Sequence, residues 1–323
     1  MNIEKKKIAI GYLCAIGAVV FWGFDTVVIR WLIQQKIDPF LVGDLRLFIG
    51  SAVLALIVAV EGIIGNHSWE RVRYSKFFWL ITLSLAVNFL LFHKGLEFTI
   101  ASDAVLLEAF SPVMVLIIVM LFLPSKIKHL LIHPGMPQTV LKIVIIGSIG
   151  SSLLLINDPK DLLIQSNIKL IGDIIEFIAM FAWALVMIGM HEYQKREQNK
   201  NSIAVTAQFL FFAAIIITPF INWSNLNIIT STQWFWILIL GVFSTGAAYV
   251  LWHTASKFLD ILPLITLFNF VSIFTITIES IALNMPISWK LLIGGALILY
   301  ASMRAKLIND KYKILTKEEP PGE

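Results

Sequence analysis

Apolar runs of about 20 residues, repeated from Ile8 to Lys306 with short polar breaks between them, constrain this chain more than any other feature. At ~1.5 Å per helical residue, one such run crosses the ~30 Å hydrocarbon core of a bilayer. Inside that core every backbone N–H and C=O must be paired within the protein, which a helix achieves by itself. The expected spans are Ile8 to Trp31, Phe40 to Ile64, Phe77 to Leu96, Ala101 to Leu123, Val140 to Ile156, Leu170 to Met190, Ile203 to Ile221, Trp234 to Trp252, Ile261 to Leu283 and Trp289 to Lys306. Composition agrees. Hydrophobic residues make up 58% of the chain and charged ones 14%, with a mean hydropathy of +0.83, against roughly 45–50% apolar and about 25% charged in a soluble domain. The expected fold is an all-α integral membrane protein of about ten transmembrane helices, with the lipid bilayer as its first partner.

Lys5-Lys6-Lys7 ahead of an apolar run resembles the start of a signal peptide, but the run from Ile8 to Leu32 is longer than a signal core and lacks a small-x-small cleavage site. It reads as a retained first span. The sequence predicts caps as well: Asp38 before Pro39 opens the second span, and Ser288 opens the last. The lone Cys14 lies in the first span, where packing is its expected role.

Lys and Arg accumulate in cytoplasmic loops. With the N-terminus inside, seventeen of them fall in inner segments and six in outer ones, with Arg46 and Lys142 inside spans. That asymmetry predicts both termini on the cytoplasmic side of the cell membrane. The net charge of +4 is spread over loops and tails, which excludes a nucleic-acid surface.

Ten spans divide into two fives, and an odd number per half makes the second half enter from the opposite side. Internal similarity points the same way. Gly11 and Trp22 are spaced like Gly172 and Trp183, and Phe92-His93 with Phe98 aligns with Trp252-His253 and Phe258. The expected organisation is a first five-helix repeat over residues 1–157, a second, inverted repeat over 158–306, and a disordered cytoplasmic tail over 307–323.

An ionisable side chain facing lipid costs about 2.5–3.5 kcal/mol at a helix centre, so acids and bases inside spans normally face protein or a water-filled cavity. Asp25 follows Trp22 by three residues, placing a polar anchor beside an aromatic wall on one helix face. Its bland reading is a salt bridge to Arg30 or Arg46. Glu108 lies one turn before Pro112, whose ring frees a helical carbonyl, and suits a substrate or proton contact. Asn88 and Asn269 lie near mid-depth and either bridge helices or meet a polar solute. Glu176 and Glu279 divide evenly between helix–helix contact and function, and Asp44 with Arg46 reads as a structural pair. Trp22, Trp183, Phe110, Tyr249 and Trp252 are candidate cavity walls, whereas His93 and His253 at span ends read as solvated interface residues.

Phe21-Trp22-Gly23, the segment from Glu97 to Pro112, and the glycine-rich Leu292 to Ile298 resemble the EamA-like family of the drug/metabolite transporter superfamily, over about Ile8 to Lys306. The acidic turn that members often carry after the fourth and ninth spans is absent near Ser125 and Met285. The resemblance implies a carrier with a central cavity between inverted halves and, by analogy, an exporter. The expected substrate is a small polar metabolite such as an amino acid, bounded by Trp22, Asp25, Asn88, Glu108, Tyr249, Asn269 and Glu279, with proton or cation coupling at Asp25 and Glu108. No phosphate loop, serine elbow or closely spaced metal-ligand set is present, so an enzyme is not expected and no cofactor is implied. The competing reading is a lipid-handling protein or intramembrane enzyme using buried carboxylates.

Overall fold

The computed structural model describes residues 3–63, 74–98, 107, 110–122, 136–155, 167–197, 200–282 and 289–318. All regular structure among them is helical. The first three helices, α1 (Ile3–Gln34), α2 (Pro39–Ile63) and α3 (Lys76–Phe98), are followed by α4 (Ser111–Phe122), α5 (Met136–Leu155), α6 (Asn167–Arg196) and α7 (Ser202–Ile217). Next come α8 (Ser231–Ile239), a π-helical stretch Leu240–Ala247, and α9 (Ala248–Phe258), which run on without a break, then α10 (Ile261–Phe268), α11 (Phe270–Ala282) and α12 (Trp289–Glu318). Six of the described helical runs are long and apolar enough to cross a membrane: Lys5–Gln34, Pro39–Ile63, Lys76–Phe98, Leu170–Arg196, Ser202–Phe220 and Ser231–Phe258.

Local chemistry sets several boundaries. Lys36 closes α1 with φ 63°, while its own N–H bonds Ile33 O and Ile37 N–H bonds Leu32 O, the two bonds of a Schellman stop. Asp38 Oδ1 then accepts from Phe40 N at 2.8 Å and caps α2, with Pro39 in its first turn. Thr230 and Gln233 cap α8 reciprocally.

Large apolar side chains such as Leu13, Leu56, Leu80, Phe177, Leu238 and Leu292 are exposed around the outside. A water-soluble protein avoids such continuous apolar surface; one bathed in acyl chains requires it. Inside, α3 packs on α6, α1 on α9 and α11, α2 on α7 and on Leu240–Ala247, and α5 on α12.

Three features differ from the sequence reading. Pro112 lies in the first turn of α4 rather than interrupting a helix, and the missing N–H is free of cost there. The stretch after Lys306 continues α12 to Glu318 instead of starting a disordered tail, with Ile308, Tyr312 and Leu315 at helical spacing. The ninth expected span is two pieces, α10 and α11, separated at Asn269.

Candidate functional site

Where α1, α2, α3, α6, α9, α10 and α11 converge, a small cavity of about 60 Å³ is lined by Trp22, Asp25, Thr26, Arg46, Asn88, Phe89, Phe92, His93, Trp183, Tyr249, Phe268 and Val271. Its polar centre is Arg46, whose side chain is 3% exposed. Nη2 donates to Asp25 Oδ2 at 2.6 Å, Nε donates to Thr245 Oγ1 at 3.3 Å, and Nη1 lies 3.4 Å from His93 Nε2. The His93 ring is oriented by its other nitrogen. Nδ1 lies 2.8 Å from the Phe89 carbonyl, which only accepts, so Nδ1 carries the hydrogen and Nε2 turns a lone pair to Arg46. The guanidinium is thus held at all three nitrogens and sits 5.6 Å from the centre of the Phe89 ring.

Aromatic side chains form the remaining wall. Trp22 meets Trp183 edge-on at 5.4 Å, Tyr249 at 5.6 Å, Trp252 at 5.1 Å and Phe268 at 5.9 Å. The π-helical stretch fixes Trp22: its indole Nε1 donates to the Ser244 carbonyl at 3.2 Å, and Ser244 Oγ donates to the Phe21 carbonyl at 3.1 Å. Gly50 of α2 makes this approach close, because a Cβ there would lie 2.9 Å from Gly241 O and 3.1 Å from Gly246 N.

Of the residues expected at the site, Trp22, Asp25, Asn88 and Tyr249 line the cavity. Asn88 also ties α3 to α6 through Nδ2 and the Ala179 carbonyl at 3.0 Å. Asn269 is buried but not among the lining residues; its Nδ2 abuts Gly147 of α5, where the break between α10 and α11 turns it. Glu108 lies outside the described residues, as does the side chain of Glu279 on α11.

Asp25 takes the second of its two candidate bases, Arg46. The expected Asp44–Arg46 pair is absent for the same reason, since residues two apart project from opposite sides of a helix. His93 and His253 are each 1% exposed rather than solvated, and Phe110 is 44% exposed rather than part of a wall. Sequence reasoning passed over His93, Phe89, Phe92, Phe268 and the Ser244–Thr245 turn. The repeat of Phe92-His93 at Trp252-His253 was a signal for the histidines; nothing in the apolar run Leu240–Ala247 announces a π turn.

A second cavity of about 510 Å³, bordered by Lys36, Asp38, Phe40, Lys94, Glu97 and Asn225 among others, lies at the end of α3 that carries His93. At the other end His253 Nδ1 lies 2.5 Å from Thr206 Oγ1. Among the described residues no group of three or more His, Cys, Asp or Glu side chains is placed to hold a metal ion.

The sequence matches the model of the EamA-like transporter family twice, over residues 9–133 and 170–303. This chain belongs to that family. A crystal structure described only as that of a protein matches this EamA-like chain with a TM-score of 0.69 at 18% identity, covering 92% of this chain and 97% of the other. At that identity the likeness concerns the fold alone. No curated protein matches the sequence. As an EamA-like chain it is a multi-pass membrane protein of a transporter family, and its cavity is to be read in those terms.

Proposed function

We propose that this EamA-like protein is a secondary carrier that exports an amino acid or similar small zwitterion across the cell membrane. Ten crossings would form two inverted five-helix repeats, divided near residue 157, with both termini in the cytoplasm. The observation that carries this reading is the buried Asp25–Arg46 ion pair, set in an aromatic cavity between elements from both halves of the chain. A zwitterion exchanges that internal pair for two new ones, its carboxylate on Arg46 and its ammonium on Asp25. Few other solutes let both charges leave each other without stranding one in a dry site. The aromatic rings accept the remainder of the solute, and the ammonium also gains from ring faces.

The packing supports the inverted plan, because contacts recur with the halves exchanged. α3 lies on α6 as α1 lies on α9, and α4 lies on α6 as α11 lies on α1. Rocking one half against the other then opens a midplane site to each side in turn. Glu108 is retained as the second acid for coupling.

The test is counterflow in proteoliposomes loaded with a panel of amino acids. Exchange of at least one radiolabelled amino acid is expected, abolished by Arg46→Gln and reduced by Glu108→Gln with both variants still folded. Absence of exchange across the panel, with no amino acid raising the apparent melting temperature of purified protein, overturns the zwitterion reading.

A further inference from the structure

Asp44 is 0% exposed, and neither of its carboxyl oxygens has a hydrogen-bond partner among the described residues. Such an atom in a native protein calls for an explanation. Helical register shows where Asp44 points. Phe48, four residues on, meets Phe211 of α7 at 6.3 Å, and Ser51, seven residues on, donates to the Ala207 carbonyl of α7 at 3.0 Å. Residues spaced by four and seven share one helix face. Asp44 therefore lies on the α2 face turned to α7, the seam between the two halves, whereas Arg46 projects from the opposite side into the cavity.

The charged groups on the described elements that pack on α2 are accounted for. α7 carries no titratable residue, and neither do α8 nor Leu240–Ala247, the other elements that pack on α2 from the second half. From the first half, α1 offers Asp25, already bound to Arg46, and Arg30 nearer its end. α3 offers His93, Lys94 and Glu97. His93 touches the α2 backbone, its Cε1 being 3.3 Å from where a Gly43 Cβ would sit, but its ring is committed to Phe89 and Arg46; Lys94 is held by Glu97 at 2.7 Å. No described cation bonds Asp44. An ionised carboxylate without a partner in such a place costs several kcal/mol, a cost the neutral acid avoids.

We propose that Asp44 is a proton-binding site at the α2–α7 seam, separate from the ion pair in the cavity, which is loaded in this conformation and releases its proton when the seam opens to water. The step is a simple dissociation: the O–H bond of the acid breaks, its electron pair stays on the carboxylate, and water takes the proton. Asp44 and Arg46 share one helix, so a movement of α2 that frees Arg46 for substrate on one face changes the exposure of Asp44 on the other. This coupling rests on the carrier reading above; the proton site does not.

Infrared spectroscopy of the purified full-length protein at neutral pH separates the two. A carbonyl stretch of a protonated carboxylic acid in a dry environment is expected, shifting when the sample is moved to D₂O and missing in Asp44→Asn, with Asp25→Asn retaining it. Asp44→Leu guards against a folding artefact, because an apolar replacement of a neutral buried acid is tolerated. A band that survives in both Asp44 variants, or that never exchanges with D₂O, overturns the proposal. In proteoliposomes, the amino acid giving the strongest counterflow in wild type should still exchange through Asp44→Asn, while its accumulation under an imposed pH gradient falls to the level reached without one. Unchanged gradient-driven accumulation in that variant also overturns it. Failure of all wild-type counterflow would instead count against the zwitterion reading and leave the infrared result to decide the proton site.

Discussion

At the scale of single residues, the site is organised by one charge that the bilayer does not tolerate alone. Arg46 is nearly sealed, and so is Asp25, so each makes the other's burial affordable while Thr245 and His93 take up the remaining nitrogens of Arg46. Removing one partner strands the other. Asp25→Asn is expected to lower stability by about 3–5 kcal/mol, whereas Asp25→Asn with Arg46→Met should recover most of that loss, since an uncharged pair has no stranded member. Unfolding of detergent-purified single and double variants closes the cycle, and a double-variant loss equal to the sum of the two single-variant losses would show that the pair does not act as a unit. This much was half legible in the sequence. A carboxylate at span depth announces itself, but Arg30 and Arg46 were both within reach of the text, and only the crossing of α1 and α2 selects between them. Asp44 shows the converse, because its proximity to Arg46 along the chain is the very spacing that keeps them apart in space.

At the scale of elements, the six described helices of membrane-crossing length were readable because length and hydropathy are properties of a run as a whole, insensitive to which face each residue takes. The irregularities were not readable. Leu240–Ala247 is as apolar as its flanks, so nothing in its composition separates a π turn from an α turn, although the Trp22 and Arg46 contacts depend on it. What makes that turn possible is glycine on glycine, with Gly50 against Gly241 and Gly246. A methyl at Gly50 has to push α2 off the π stretch, so Gly50→Ala should destabilise by about 1–3 kcal/mol, the range of overpacking, and disturb Trp22 fluorescence. Gly295 on α12 provides the contrast. The nearest atom to a Cβ there is 3.9 Å away, and Gly295→Ala should stabilise by roughly 0.5–1 kcal/mol through helix propensity alone. Thermal unfolding of the two variants side by side distinguishes close approach from a generic effect of adding a methyl to a membrane helix.

At the scale of the molecule, two histidine contacts bear on how an inverted carrier would turn over. His93 with Arg46 and His253 with Thr206 have the same sequence separation and lie at opposite ends of the helices. One end holds an ion pair beside a cavity; at the other, Thr206 is fully buried and bonded to the buried His253. If the halves exchange roles, the Thr206 end must open when the Arg46 end closes. Cys14 is the one cysteine in the chain, so a Cys14→Ser background carries a single introduced thiol without interference. In that background Val271→Cys, on the cavity wall, should react with a membrane-impermeant thiol reagent from one face of sealed vesicles, and Thr206→Cys from the other face. A substrate that favours one conformation should slow one labelling while speeding the other. Reaction of both from the same face would break the two-fold exchange and leave a one-sided pocket. The chemistry of the two ends differs as well, because Thr206 stands where the other half has Arg46, so His253 there meets a neutral hydroxyl where His93 meets a guanidinium. Release is therefore expected to be easier at the Thr206 end, and half-saturation for the same amino acid should be higher when measured from the face at which Thr206→Cys is labelled.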